Sequence, residues 1–388
     1  MNISEPAESF SKRTAGQEVV FRLPVVSVII VNYNYGRFLD QAVDSVFQQT
    51  YPNLECIIVD NASTDETPAV LTGIAGRYPQ ATIIRRAAND GQTPASLDGL
   101  KVASGAYVIF MDADDVLLAH AIETHVFVHL SLRVHVGFTS GDMLQVVGDQ
   151  IVLGTGEELN RYVRSGRGRR RDMFRPYQHL LDAPWPSKEL AQSLGDKIHF
   201  VAPLSAKWVW SPTSGICYRR DALDLFADNP ELARLNSGTD MYFACAISAL
   251  CGSIIIDEPV FLYRIHGANV FSRRAQLNHY IGFEAGGAGD NNHKTRLLAI
   301  DHLVANAARF CRTGWLRLHY AALLLRIDAH DEETSLPRWQ RRSRTGARLA
   351  QSYHEAAAAL GPGLTLLLML WFRVPIGVIA SAIRKPRK

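Results

Sequence analysis

The chain has 388 residues, 47% hydrophobic and 20% charged, with 28 Gly and 17 Pro. This allows two domains or one large domain with an appendage and excludes collagen-like and low-complexity classes. The net charge of +3 hides an uneven distribution. Residues 338–388 carry ten basic side chains against Glu355, residues 161–175 carry seven Arg against Asp172, and the remainder sums to −12.

Five Cys with no CxxC pair argue against a disulfide framework and for reduced thiols in a cytosolic protein. The first residues, Met1 to Pro6, show neither the basic nor the apolar stretch of a signal peptide. An acidic body without a recognition motif argues against a nucleic-acid partner.

Residues 1–22 are polar and read as a flexible tail. Residues 25–31 form a continuous β-branched run, the pattern of a strand buried on both faces. Phe38, Ala42, Val43, Val46 and Phe47 then recur at helical spacing. Residues 54–59 predict a second strand that ends at Asp60 and Asn61, with Ser63 or Thr64 placed to cap the next helix. Residues 81–84 predict a third strand, residues 94–103 a helix, and residues 107–111 a fourth strand. This alternation predicts a Rossmann-like, mostly parallel open sheet with flanking helices and ligands at the carboxyl ends of its strands.

Polar residues gather at those ends. Asn32 and Tyr33 follow the first strand, Asp60 and Asn61 the second, and Asp112, Asp114 and Asp115 the fourth. Three carboxylates after a buried strand repel one another. A divalent cation with oxygen ligands, Mg²⁺ or Mn²⁺ sharing its coordination with substrate phosphates, answers that repulsion. The alternative is an acid-rich helix N-cap.

After Glu123 the pattern weakens. Residues 145–210 contain the Arg-rich stretch, either a solvated loop or an anion contact, and the aromatic residues Trp185, Phe200, Trp208 and Trp210. A short helix begins near Asp221, and Asp240 opens an apolar helix over residues 241–250, where it could serve only as a cap. Two strands, residues 253–256 and 260–264, precede His266. Residues 295–327 are helical in pattern and residues 328–339 read as a linker.

Near the carboxyl end, residues 364–372 and 376–383 are apolar, and Arg373 and Pro375 lie between them. Residues 363–383 approach the length of a membrane span, but the Arg and Pro oppose one. Two short helices lying in a membrane interface, with the terminal basic cluster on anionic headgroups, fit this pattern better. The competing reading is a helix packed on the protein's own core.

Five motifs in one order carry a resemblance. They are residues 26–34 (VSVIIVNYN), 48–52 (QQTYP), 57–67 (IIVDNASTDET), 105–115 (GAYVIFMDADD) and 262–269 (LYRIHGAN). The chain resembles the inverting family-2 glycosyltransferases of the GT-A fold across about residues 25–270. The resemblance implies a GT-A domain over 23–275, with 145–210 as an acceptor-side insertion. A helical C-terminal region over 290–388 would follow, including the membrane-interface segment 360–388.

The same resemblance implies roles for individual residues. Asn32, Tyr33, Asp60, Asn61 and Asp112 would bind the nucleotide-sugar. Asp112 and Asp114 match the family's DxD pair, and with His266 they would hold the metal. Asp240 matches the general base. The donor would be a UDP- or dTDP-sugar and the acceptor lipid-linked or a polysaccharide. The chain would act as a bacterial cell-envelope enzyme, cytoplasmic and peripheral on the inner face of the membrane.

Ser96 and Leu97 stand where relatives often carry Arg-Asn, which leaves a donor-steadying charge to another basic group. Two alternatives remain. One is a non-catalytic binding module that keeps the fold. The other is a sugar nucleotidyltransferase, whose Gly-rich loop is absent after the first strand.

Overall fold

The computed structural model describes residues 22–177, 192–204, 208–269, 288–311, 314–329 and 343–385. The tail before residue 22, Trp185, most of the linker and the last three residues lie outside the described residues.

Four strands form the parallel half of one sheet. β1 (Val26–Asn32) lies between β2 (Leu54–Asp60) and β4 (Tyr107–Asp112), and β3 (Thr82–Arg85) pairs with β2. The register places Asn32 opposite Asp60 and Val31 opposite Asp112, so the three polar strand ends finish level at one edge. Side chains alternate along β1. Val28 and Ile30 enter one core layer and Ile29 the other. The helices α1 (Gly36–Phe47), α2 (Thr67–Arg77) and α4 (Ala121–Ser131) supply the layer around Val28 and Ile30. The helix α3 (Gln92–Val102) covers the opposite face. Gly99 lets it approach closely, because an added Cβ would lie 2.4 Å from Ile29 Cγ2.

Beyond β4 the sheet turns mixed, a feature the strand–helix alternation did not reveal. β9 (Ile216–Arg219) runs antiparallel to both β4 and β6 (Phe138–Val147). β10 (Ser253–Ile265) lies parallel to β6, with β5 (Val116–Leu117) and β8 (Ile198–Val201) antiparallel to it. β7 (Gln150–Leu153) pairs antiparallel with β6. The two strands expected over residues 253–264 are one, with register shifts on either side of Pro259, where the missing N–H interrupts the ladder.

β6 escaped the hydrophobic pattern because it buries Thr139, Ser140, Asp142 and Gln145. The burial of Asp142 is offset by hydrogen bonds from Thr155 Oγ1 and from the backbone N–H groups of Met143 and Gly156.

The C-terminal region is helical, as expected, over Ala288–Ala305, Ala307–Phe310, Gly314–Ile327, Arg344–Gln351, Tyr353–Leu360, Pro362–Trp371 and Ile376–Arg384. Its apolar residues Ile300, Leu303, Tyr320, Leu349, Tyr353 and Met369 share a core with Phe226, Tyr242 and Phe243 beside the sheet. Asp301 receives Arg344 at 2.5 Å and Arg348 at 2.7 Å, which joins the helices Ala288–Ala305 and Arg344–Gln351. Among the described residues, no helix is long and apolar enough to cross a membrane.

Candidate functional site

The level carboxyl ends of β1, β2 and β4 form the floor of the site. Asn32 is fully buried there, and its side-chain amide donates to Ser63 Oγ and Thr67 Oγ1, both at 3.1 Å. Its side chain thus holds the turn after β2, and the neighbouring Tyr33 is the exposed member of the pair. Asn34, at φ 56°, receives the Thr64 N–H on its side-chain oxygen and closes the same turn from the other strand.

Asp60 is buried and accepts the Ser63 N–H at 3.2 Å. Asn61 donates to Asn89 Oδ1 at 2.7 Å and to the Gly91 carbonyl at 3.2 Å, and accepts from Arg86 at 2.5 Å. Arg86 also reaches Asp98 at 3.0 Å and Asp90 at 3.2 Å. Sequence reading did not single out Arg86. The signal was available, since it lies just past the end of the third strand, but only the fold sets it beside Asn61. Ser96, at one of the positions where relatives often carry Arg-Asn, caps its own helix turn by donating to the Gln92 carbonyl at 2.9 Å.

The carboxylates after β4 have separate partners. Asp112 accepts from the Gln92 side chain at 2.7 Å, and its backbone N–H donates to Ser214 Oγ at 3.1 Å. Asp115 accepts the Ser214 hydroxyl at 2.6 Å. Asp114 faces His266 Nε2 at 2.9 Å and the Asn269 side-chain amide at 3.3 Å. Asn269 also accepts the His266 N–H at 2.9 Å and donates to the Arg264 carbonyl at 2.7 Å, so it shapes the loop that presents the histidine. The Nδ1 of His266 is buried with no hydrogen-bond partner among the described residues.

Burial, with the charge of Asp114 and then of Asp240, pushes the Asp112 carboxyl up to about 7. Burial, together with Asp114 and Asp112, raises Asp115 well above the carboxylate range. The repulsion inferred from sequence is therefore present.

Asp240 stands in the first turn of the helix Thr239–Cys251. Its carboxylate accepts its neighbour's N–H from Met241 at 2.8 Å. Burial raises its pKa, and hydrogen bonds from Met241 and Thr213 oppose that rise. The Thr213 side chain lowers the Asp112 carboxyl as well, so one short turn, Thr213–Gly215, lies against both carboxylates. Nothing in the sequence pattern marked Thr213 or Ser214, because the contact depends on β9 crossing next to β4. The same side of the site is closed by Thr93 and Thr239, whose hydroxyls meet at 2.8 Å, and by the Gln92 N–H donating to the Asn236 carbonyl at 2.7 Å.

Among the described residues, no group of three His, Cys, Asp or Glu side chains is arranged to hold a metal ion. Of the residues the sequence marked, Asp114 and His266 are brought together, while Asp112 is engaged by Gln92 and Thr213. Two protein ligands suit a hard divalent cation whose coordination is completed by substrate oxygens. The raised carboxyls at Asp112 and Asp115 mark a place where a positive charge would be favoured. The arrangement gathers carboxylates that would favour a bound cation, with the half-buried Asp240 near Asp112.

Residues 27–186 match the family model described as Glycosyl transferase family 2. A Nostoc sp. protein described as an uncharacterized glycosyltransferase is 31% identical over 247 residues, covering 63% of this chain and 66% of the relative. A Haemophilus influenzae protein with the same description is 30% identical over 135 residues, 34% of this chain and 53% of the relative. The chain thus spans less than two thirds of the length of these relatives. The solved structure of S. aureus TarS residues 1–349 with UDP covers 90% of this chain and 91% of its own, at 14% identity and a TM-score of 0.43.

Proposed function

We propose that this chain, which belongs to glycosyl transferase family 2 through residues 27–186, moves a sugar from a nucleotide-sugar to an acceptor hydroxyl with inversion. UDP- and dTDP-sugars are the favoured donors, the acceptor is lipid-linked or a polysaccharide, and the reaction takes place at the inner face of the cell membrane.

The observation that carries this reading is the linkage of Asp240 to the carboxylates after β4. The Thr213 turn lies against Asp240 and against Asp112, which is two residues from the candidate cation ligand Asp114. Asp60, Asn61 and Tyr33 would receive the nucleoside, with Arg86 fixed on Asn61 in place of the charge missing at Ser96 and Leu97. Asp114 and His266 would hold a divalent cation, Mg²⁺ or Mn²⁺, which when bound supplies positive charge to the departing diphosphate. Asp240 takes the proton from the acceptor hydroxyl as that oxygen attacks the anomeric carbon. Asp240 is left protonated and the nucleoside diphosphate departs. One displacement inverts the centre, so no second nucleophile is required. The raised pKa makes Asp240 a stronger proton acceptor than an ordinary carboxylate.

The test is a panel of UDP-, dTDP- and GDP-sugars incubated with the full chain and Mn²⁺ or Mg²⁺, scoring nucleotide release and, by NMR, the anomeric configuration of the product. Release that vanishes with Asp240→Asn supports the reading. If no donor binds and Asp114→Ala changes nothing, the chain is a binding module and the enzymatic reading fails.

A further inference from the structure

The helices Pro362–Trp371 and Ile376–Arg384 bury one face each. Thr365, Leu368 and Met369 on the first and Ile379 and Ala382 on the second are directed into the protein. Phe372, buried at the corner, packs so closely that a Cβ on Gly346 would lie 2.8 Å from its own Cβ. The corner itself is made by Arg373 at φ 57° and by Pro375, which opens the second helix. Two short helices, one after the other, are thereby held on the body of the molecule, each packed against the helices Arg344–Gln351 and Tyr353–Leu360.

The outer face of the first helix is not polar. Leu367, Leu370 and Trp371 fall at helical spacing on the first and are 64%, 55% and 72% exposed. On the second, Ile376, Val378 and Ile383 are exposed on either flank of its buried side, with Ile376 at 78% exposure. Arg384 and Lys385 stand exposed at its end. Residues 362–388 contain five basic side chains and no acid.

We propose that this surface is the site at which the protein lies on an anionic lipid bilayer. It rests on, and deepens, the membrane-face part of the proposed function. Three observations choose this occupant. An apolar face carrying a Trp and bordered by Arg and Lys without acids matches the boundary between acyl chains and negative headgroups. A second copy of the chain is disfavoured, because a two-fold contact through the same patch would bring together two basic surfaces with no acid on either to offset them. Spanning is disfavoured too. Ten and nine residues make helices of about 15 Å against a hydrocarbon core of about 30 Å, with the fixed corner between them. The helices therefore lie in the plane of the interface, with their outer faces sunk to about the depth of one side chain and their inner faces holding the enzyme.

The test uses the full chain and sedimentation with vesicles of pure phosphatidylcholine or of phosphatidylcholine with phosphatidylglycerol. The expected result is binding to the phosphatidylglycerol vesicles that weakens with added salt. It should fall at least about tenfold in Trp371→Glu and in Ile376→Glu, and also fall in the Arg384→Glu/Lys385→Glu pair. Thermal melts and nucleotide-sugar hydrolysis should be unchanged in all three. Binding that is equal on both vesicle types and indifferent to salt overturns the proposal. So does a chain that sediments with neither, or one whose Trp371→Glu variant converts a dimer to a monomer. Vesicle binding by a chain that hydrolyses no donor would remove the transferase reading and leave this surface standing.

Discussion

Asp240 is half-buried and its pKa is raised by desolvation, yet the proposed chemistry needs it ionised. Its protonated fraction grows as pH falls through a pKa above the usual carboxylate value, so the acid limb of the rate profile should lie above pH ~4. Removing it by Asp240→Asn should lower kcat by about 10²–10⁴-fold and leave donor affinity nearly intact, as steady-state kinetics and calorimetric titration of the nucleotide would show. Thr213 lies against both Asp112 and Asp240 and lowers both. Thr213→Val should therefore move the acid limb upward. A limb that stays in place would remove Thr213 from the site. Asp112 has the opposite linkage from an ion-paired acid. Its folded pKa, about 7, lies above its unfolded value. Its contribution to stability is therefore complete below pH ~4 and is lost as pH rises toward 7. Calorimetry of the metal-free protein should show the melting temperature falling through that window and a flatter profile in Asp112→Asn. The strand-end acids could be read from sequence because three carboxylates in four residues after an apolar run are conspicuous. Thr213, Ser214 and Arg86 could not, since their chemistry comes from the neighbours the fold gives them.

β1, β2 and β4 were legible in sequence because each is an apolar run bounded by turn residues and buried through its middle, and the half-buried β3 was legible from its short apolar run alone. β6 was not, because its buried Thr, Ser, Asp and Gln side chains are satisfied by partners remote in sequence, and no periodic pattern records that. Pro259 likewise divided in pattern what remains one strand in space. Helix ends carry part of the site. Gly91, at φ 105°, begins α3 with an added Cβ only 2.5 Å from the Asn236 carbonyl oxygen. Gly91→Ala should therefore force the loop before Asp240 away from α3 and cost both stability and turnover, measurable by denaturant midpoint and kcat. At the C-terminal helices, Asp301 holds Arg344 and Arg348, and these two guanidiniums lower its pKa. Asp301→Ala should destabilise the protein by about 1.5–3 kcal/mol in chemical denaturation. The wild-type contribution is present at neutral pH and lost as pH falls through the lowered pKa.

At the scale of the whole molecule, charge alone divided the chain into an acidic body and two basic attachments. The structure leaves the charges where the sequence put them and changes what they are attached to. The basic carboxyl end is not detachable. Leu349, Tyr353, Leu360 and Met369 belong to the same core as Phe226 and Phe243. A chain ending at Pro337 would expose that core, so it should lose its cooperative melt; a truncated protein that melts as sharply as the full chain would show the helices to be dispensable. In the Arg-rich stretch, Arg161 pairs with Glu158 and Arg170 with Asp172 at the surface, which uses part of its charge locally. The sequence by itself determined the parallel half of the sheet, the helical carboxyl region and the acids at the strand ends, because these depend on local apolar runs and on which residues stop them. Only the tertiary structure decided that Asp114 meets His266, that Thr213 links Asp112 to Asp240, and that the last helices bury one apolar face while exposing the other. Each of these joins residues 27 to 152 or more positions apart, and no local pattern carries a contact whose partners come together only when the sheet closes around them.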